Sequence, residues 1–244
     1  MKSLKMLAVA SALVAMASGS AMATFSGQIW IPSTDVKGFK EVNISIDNYA
    51  RVSNAPDALA NYYDVGVTAG ILPLEKFKIE VGADYYTDNV PGSPASKNPA
   101  YFNFKAGVPE DAFLAGMPAV AAGMFGLNSA NNALSTNVAY GLIAKTFPVI
   151  GRISVGGYNG AESALGANQS TGLLLSWDRS MSEISDKLWM AVDYQSGNNM
   201  LGATSVGASW AFSKQVSLLV GANFYNKIAT GGKTTATTQL DINF

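Results

Sequence analysis

Neither cysteine nor histidine occurs anywhere in the 244 residues. The first absence removes any disulfide framework, thiolate nucleophile or lipid-anchoring Cys. The second removes Ser-His-Asp hydrolysis, His-assisted acyl transfer and His-based metal centres. Charge is also scarce, at 14% of residues, where a soluble domain carries about 25%. With 16 Lys and Arg against 17 Asp and Glu, the chain offers no clustered basic surface, so nucleic acid is excluded as a partner. Past residue 23 no apolar run reaches the ~18 residues of a transmembrane helix. A chain this poor in charge and lacking a membrane helix must otherwise account for its apolar content of 48%.

The amino terminus has the three parts of a secretory leader. Lys2 and Lys5 supply the positive region, and Met6–Ala17 an apolar stretch broken by Ser11. Ala21-Met22-Ala23 is a small-x-small cleavage site before Thr24. Residues 1–23 are therefore expected to be a signal peptide and 24–244 one exported domain. Removal of Lys2 and Lys5 leaves 14 basic against 17 acidic side chains, a mature net charge of −3.

Alternation with period two runs through the exported part. At the carboxy terminus Ala236, Thr238, Leu240, Ile242 and Phe244 share one side, and Thr237, Gln239, Asp241 and Asn243 the other. Phe77, Ile79, Val81, Ala83 and Tyr85 oppose Lys78, Glu80, Gly82 and Asp84 in the same way. Successive strand side chains point to opposite faces, so such patterns predict strands with one apolar and one polar face. Twelve segments follow this rule, at roughly 39–50, 61–71, 76–86, 100–108, 118–127, 136–147, 150–158, 169–178, 187–196, 204–212, 215–225 and 235–244. The Ala/Gly-rich segment 118–127 is the weakest, which leaves ten strands open as the count. Phe25–Ile31 fits a short extra strand, a tucked-in plug or a tail.

An exported chain ending in an alternating strand with a terminal aromatic resembles the bacterial outer-membrane β-barrel proteins, porin-like and of no particular subfamily. The resemblance implies an all-β fold, a transmembrane antiparallel up-and-down β-barrel of about 12 strands in the bacterial outer membrane. It also implies two partners, the outer-membrane lipid and a barrel-assembly machinery that reads the last strand at Leu240, Ile242 and Phe244. Connectors fit this topology: Leu72–Glu75, Pro148–Val149 and Ser213–Lys214 are short turns, and Thr87–Pro99, Asn128–Ser135, Asn159–Asn168 and Lys227–Thr234 longer loops. Pro109–Met117 and Arg179–Asp186 are longer than periplasmic turns usually are. The enzymes that share this architecture rely on His, so the chain is read as no enzyme and as needing no cofactor or metal.

Inward-facing charge is the pattern with functional content. Asp47, Asp64, Asp84 and Asp193 are expected near the extracellular end of the lumen, with Lys78, Glu80, Lys105, Lys145 and Arg152 lower down. Charged side chains on the lipid face cost several kcal/mol at mid-bilayer, so charge belongs inside. An acidic mouth above a mixed-charge waist would concentrate cations and sieve small polar solutes. The expectation is a small passive channel. The alternative is a closed structural or interaction barrel whose surface loops meet a partner. Gly231-Gly232-Lys233-Thr234 echoes a phosphate-binding loop, but position 227, where the earlier Gly belongs, is Lys227, so the segment reads as a turn. Solute and oligomeric state are not legible.

Overall fold

A computed structural model describes residues 26–54, 61–88, 90–93, 97–129, 135–227 and 232–244. The expected leader, residues 1–23, lies outside the described residues. Twelve strands form, each where alternation predicts one. They are β1 (Val42–Arg51), β2 (Tyr62–Gly70), β3 (Lys78–Thr87), β4 (Ala100–Val108), β5 (Ala119–Leu127) and β6 (Val138–Phe147). The second half comprises β7 (Gly151–Asn159), β8 (Thr171–Ser180), β9 (Leu188–Gln195), β10 (Ala203–Ala211), β11 (Val216–Tyr225) and β12 (Thr235–Asn243). One short helical turn, α1 (Glu162–Leu165), interrupts the β7–β8 loop.

Each strand pairs antiparallel with its sequence neighbours, and β12 returns to pair with β1. The closed sheet leaves no edge strand, so every strand has a hydrogen-bonded partner on both sides, as a lipid-spanning sheet requires. The Ala/Gly-rich β5 is held between β4 and β6 despite a register shift between Phe102 and Phe104. Twelve, not ten, is the count.

Strand alternation sorts the two faces. Val65, Val67, Val81, Phe102, Ile143, Val155, Leu173, Val192 and Val220 are exposed on the outside. Buried on the inside are Asn43, Ser45, Asp47, Thr68, Glu80, Asn103, Lys105, Ser205, Asn223, Thr237, Gln239 and Asp241. An apolar exterior around a polar interior is the inverse of a water-soluble barrel. The turns lie at one end, called here the turn end, with the carboxy terminus. The longer connections lie at the other, the loop end.

On β6 the inside reads Val138, Tyr140, Leu142 and Ala144, all buried. That parity puts Gly141 and Lys145 outside, where Lys145 stands opposite the outward-facing Ile153 of β7. Lys145 was expected in the lumen, and the structure corrects this. The period of β6 is sound but its apolar face turns inward, because it meets an apolar patch rather than water. Lys187, whose place in the alternating segment 187–196 also predicts an inward side chain, is exposed in the turn before β9.

Candidate functional site

The interior is occupied by the chain's own amino-terminal segment. Residues 26–40 enter the barrel as a tight hairpin, with an antiparallel bridge between Gly27 and Pro32 and the Gln28 N–H donating to Ile31 O at 2.8 Å. Of the three possibilities for Phe25–Ile31, the described part, Ser26–Ile31, is a plug. Pro32 suits the bend because its ring fixes φ and it has no N–H to satisfy.

Polar groups of the wall hold both limbs. At the tip, Asp193 Oδ2 accepts the backbone N–H of Ile29 and of Trp30, each at 2.8 Å, and that of Ile31 at 3.4 Å. Gln239 Nε2 donates to Ile29 O at 2.7 Å. Nearer the turn end, Glu80 accepts from Ser26 N–H, the Ser26 hydroxyl and Lys37 N–H, at 3.0, 2.8 and 2.8 Å. Lys105, fully buried, pairs with Glu80 at 3.2 Å and donates to the carbonyls of Ser26 and Asp35. Arg152 bridges Asp35 of the plug at 2.7 Å and Asp178 of the wall at 2.9 Å. Buried charges that each meet an opposite charge or several donors are tolerable, whereas isolated ones are not.

Apolar contacts fix the same segment. Ile31 packs into a luminal cluster of Phe125, Val138, Tyr140, Leu142, Tyr158, Leu165 and Leu174. Ile29 packs with Trp189, Ala191 and Leu219. Trp30 meets Tyr49 and Tyr225 edge-on, with centroids 5.3 and 5.7 Å away, and its indole N–H donates to Leu201 O at 2.7 Å. The inward turn of the apolar face of β6 thus serves the plug.

Three further carboxylates gather on β1–β3, nearer the loop end than Glu80. Asp47 and Asp64 face one another across β1 and β2, and Asp84 is one row lower, opposite Gly66. Asn103 Nδ2 donates to Asp84 at 2.9 Å. All three carboxylates are at most 4% exposed. Asp193, placed with them by sequence, belongs instead to the plug anchor. Lys78 stands on the inner face at the turn end, opposite Gly107. Lys145 pairs outside the wall with Glu110 at 2.6 Å and Asp111 at 3.4 Å. Leu240, Ile242 and Phe244 lie along the outer face, with Phe244 71% exposed. Among the described residues no group of carboxylates is arranged to hold a metal ion.

Closure of the sheet and its apolar outer band decide the class. The chain is a closed twelve-stranded β-barrel with the apolar exterior and polar interior of a transmembrane barrel. No protein-family model and no curated protein sequence matches it. Among solved structures, a triple mutant of the Rhodopseudomonas blastica porin is 14% identical, covering 75% of this chain and 55% of the porin, with a TM-score of 0.39. The barrel thus spans about half the length of that porin. Outer membrane phospholipase A from Escherichia coli is 10% identical, covering 83% and 92%, with a TM-score of 0.43. Salmonella typhi OmpF in complex with daunomycin is 9% identical, covering 84% and 96%, with a TM-score of 0.38. At these scores none of the three bears on what this barrel does, and the assignment rests on its own ladder and surface.

Proposed function

We propose that this barrel is a small cation-preferring channel of the outer membrane that is shut in the present conformation by its amino-terminal segment. The turn end faces the periplasm in this reading. The observation that carries it is the division of the lumen. The apolar contacts of the plug, through Ile29 and Ile31, lie on the β5–β11 side, and Asp47, Asp64 and Asp84 form an acidic wall on β1–β3, nearer the loop end than the Glu80 anchor. Withdrawal of the segment would free a path along carboxylates, whose summed field favours cations. Twelve strands enclose less than the aqueous lumen of sixteen- to eighteen-stranded porins, so the solutes are small. A closed barrel presenting its loops to a partner is the second reading, favoured by how completely the described lumen is filled. The anchors of the plug are compatible with both.

The test compares planar-bilayer conductance of the mature chain with that of a variant lacking residues 26–37. A plugged channel gives a small or rare conductance in the first and a steady cation-preferring one in the second. Asp47→Asn, Asp64→Asn and Asp84→Asn together should then reduce the preference, most at low salt, because at about 1 M salt screening acts over roughly 3 Å. A shortened barrel that folds and inserts but never conducts would establish the closed scaffold.

A further inference from the structure

The turn end carries apolar side chains where a rim facing water would carry polar ones. Leu74 is 55% exposed in the β2–β3 turn, Leu114 72% in the β4–β5 connection, Val149 82% between β6 and β7, and Ile184 68% between β8 and β9. The β10–β11 turn has a polar tip, Ser213-Lys214-Gln215, and Leu74 and Ile184 stand beside exposed charged residues, Glu75 and Lys76 in the first turn and Glu183, Asp186 and Lys187 in the second. Val149 sits at φ 70°, a region that β-branched residues rarely enter.

Three sets of contacts place the tips with Leu114, Val149 and Ile184 outside the barrel wall. Lys145, on the outer face of β6, pairs with Glu110 and Asp111, while Glu110 also accepts the Thr146 N–H at 3.1 Å. The β4–β5 connection, with Phe113 and Leu114, is thereby drawn against the exterior. Arg179, opposite the outward-facing Met190, pairs with Glu183 of the next turn at 2.9 Å, one residue before Ile184. The Trp177 indole N–H, on the outer face of β8, donates to Ile150 O at 2.7 Å. An indole with an apolar body and one donor favours the membrane–water boundary, so this bond sets the β6–β7 turn at the depth of that belt.

We propose that the turn end forms an apolar collar seated in the adjoining lipid leaflet, with the glycerol–acyl boundary of phospholipid as its occupant. This rests on the membrane-spanning reading of the barrel. The collar is continuous with the lipid-facing band through Phe77, Phe147 and Ile153, which are 40, 43 and 42% exposed. Lys145 and Arg179 enter the boundary paired with carboxylates of the adjoining turns, which lowers the cost of carrying charge there, and Lys76 lies over the Phe113 ring at 5.6 Å. A phospholipid leaflet meets a ring of separate tips without needing a matched partner surface.

The absence of cysteine allows a direct depth measurement. Leu114→Cys, Val149→Cys, Ile184→Cys, Lys214→Cys and Val220→Cys are made singly and labelled with an environment-sensitive fluorophore. The folded proteins are placed in phosphatidylcholine vesicles with nitroxide quenchers on lipid, or with aqueous iodide. Position 220, mid-strand on the outer face, reports the membrane-spanning reading. The expected result is lipid quenching at 114, 149, 184 and 220, and iodide quenching at 214. Lipid quenching at 220 with only iodide quenching at 114, 149 and 184 would overturn the collar and leave the spanning barrel standing. No lipid quenching at 220 would overturn both. Protection of the three tips from both quenchers, with a doubled mass in sedimentation, would replace lipid by a second copy of the chain and so overturn the proposal.

Discussion

Replacement of Asp193 by Ala removes the acceptor that gathers the hairpin tip. Two of its three bonds, from Ile29 and Trp30, are at 2.8 Å, and the third, from Ile31, is a weak 3.4 Å. A hydrogen bond to a charged group contributes about 1.5–3 kcal/mol, so the two good bonds together are worth roughly 3–6 kcal/mol of docking. At 1.36 kcal/mol per decade, that is a rise of about a hundredfold or more in the undocked population. Burial of Ile29 and Ile31, at about 1.5–3 kcal/mol each, and the Arg152–Asp35 pair persist, so the segment should loosen rather than leave. Thr34→Cys provides the assay, since Thr34 is 4% exposed within the plug and would be the only thiol. The rate of maleimide labelling of the folded, inserted barrel should rise steeply when Asp193→Ala is added. Equal rates in the two backgrounds, with both proteins still heat-modifiable, would refute the anchor.

Lys105→Met should lower the urea midpoint of the inserted barrel, because it leaves Glu80 buried without its cation. Loss of one partner of such a pair costs about 3–5 kcal/mol, reduced here because Glu80 keeps the Ser26 and Lys37 donors, and an unchanged midpoint would count against the pairing. Deletion of Phe244 should lower the inserted, heat-modifiable fraction while synthesis stays constant, and equal insertion would remove its role as an assembly signal. Sequencing of the protein from isolated outer membranes should begin at Thr24, and an intact Met1 would defeat the leader.

The twelve strands were legible because side-chain alternation is local: Phe77 to Tyr85 or Val216 to Tyr225 carries its own period, whatever it pairs with. Orientation of each strand was legible only where one face met lipid and the other met polar groups. On β6 both faces are largely apolar, since Tyr140 and Leu142 pack with Ile31 of the plug, and the sequence offers no means of choosing between them. Lys145 was misplaced for that reason, with its partners Glu110 and Asp111 more than thirty residues away in the chain. The inward position of Asp47, Asp64 and Asp84 followed from period and from the cost of charge in lipid. Their neighbourhood followed from their place on consecutive strands, whereas the rows themselves, Asp47 opposite Asp64 and Asp84 opposite Gly66, are set by the pairing between strands. Asp193 shows the limit most clearly. Its inward direction was written in the strand, but its task depends on a hairpin 162 to 164 residues earlier, which only closure of the barrel brings to its side. Local sequence determined the fold class and the strands, and tertiary structure alone decided that the lumen is filled and by what.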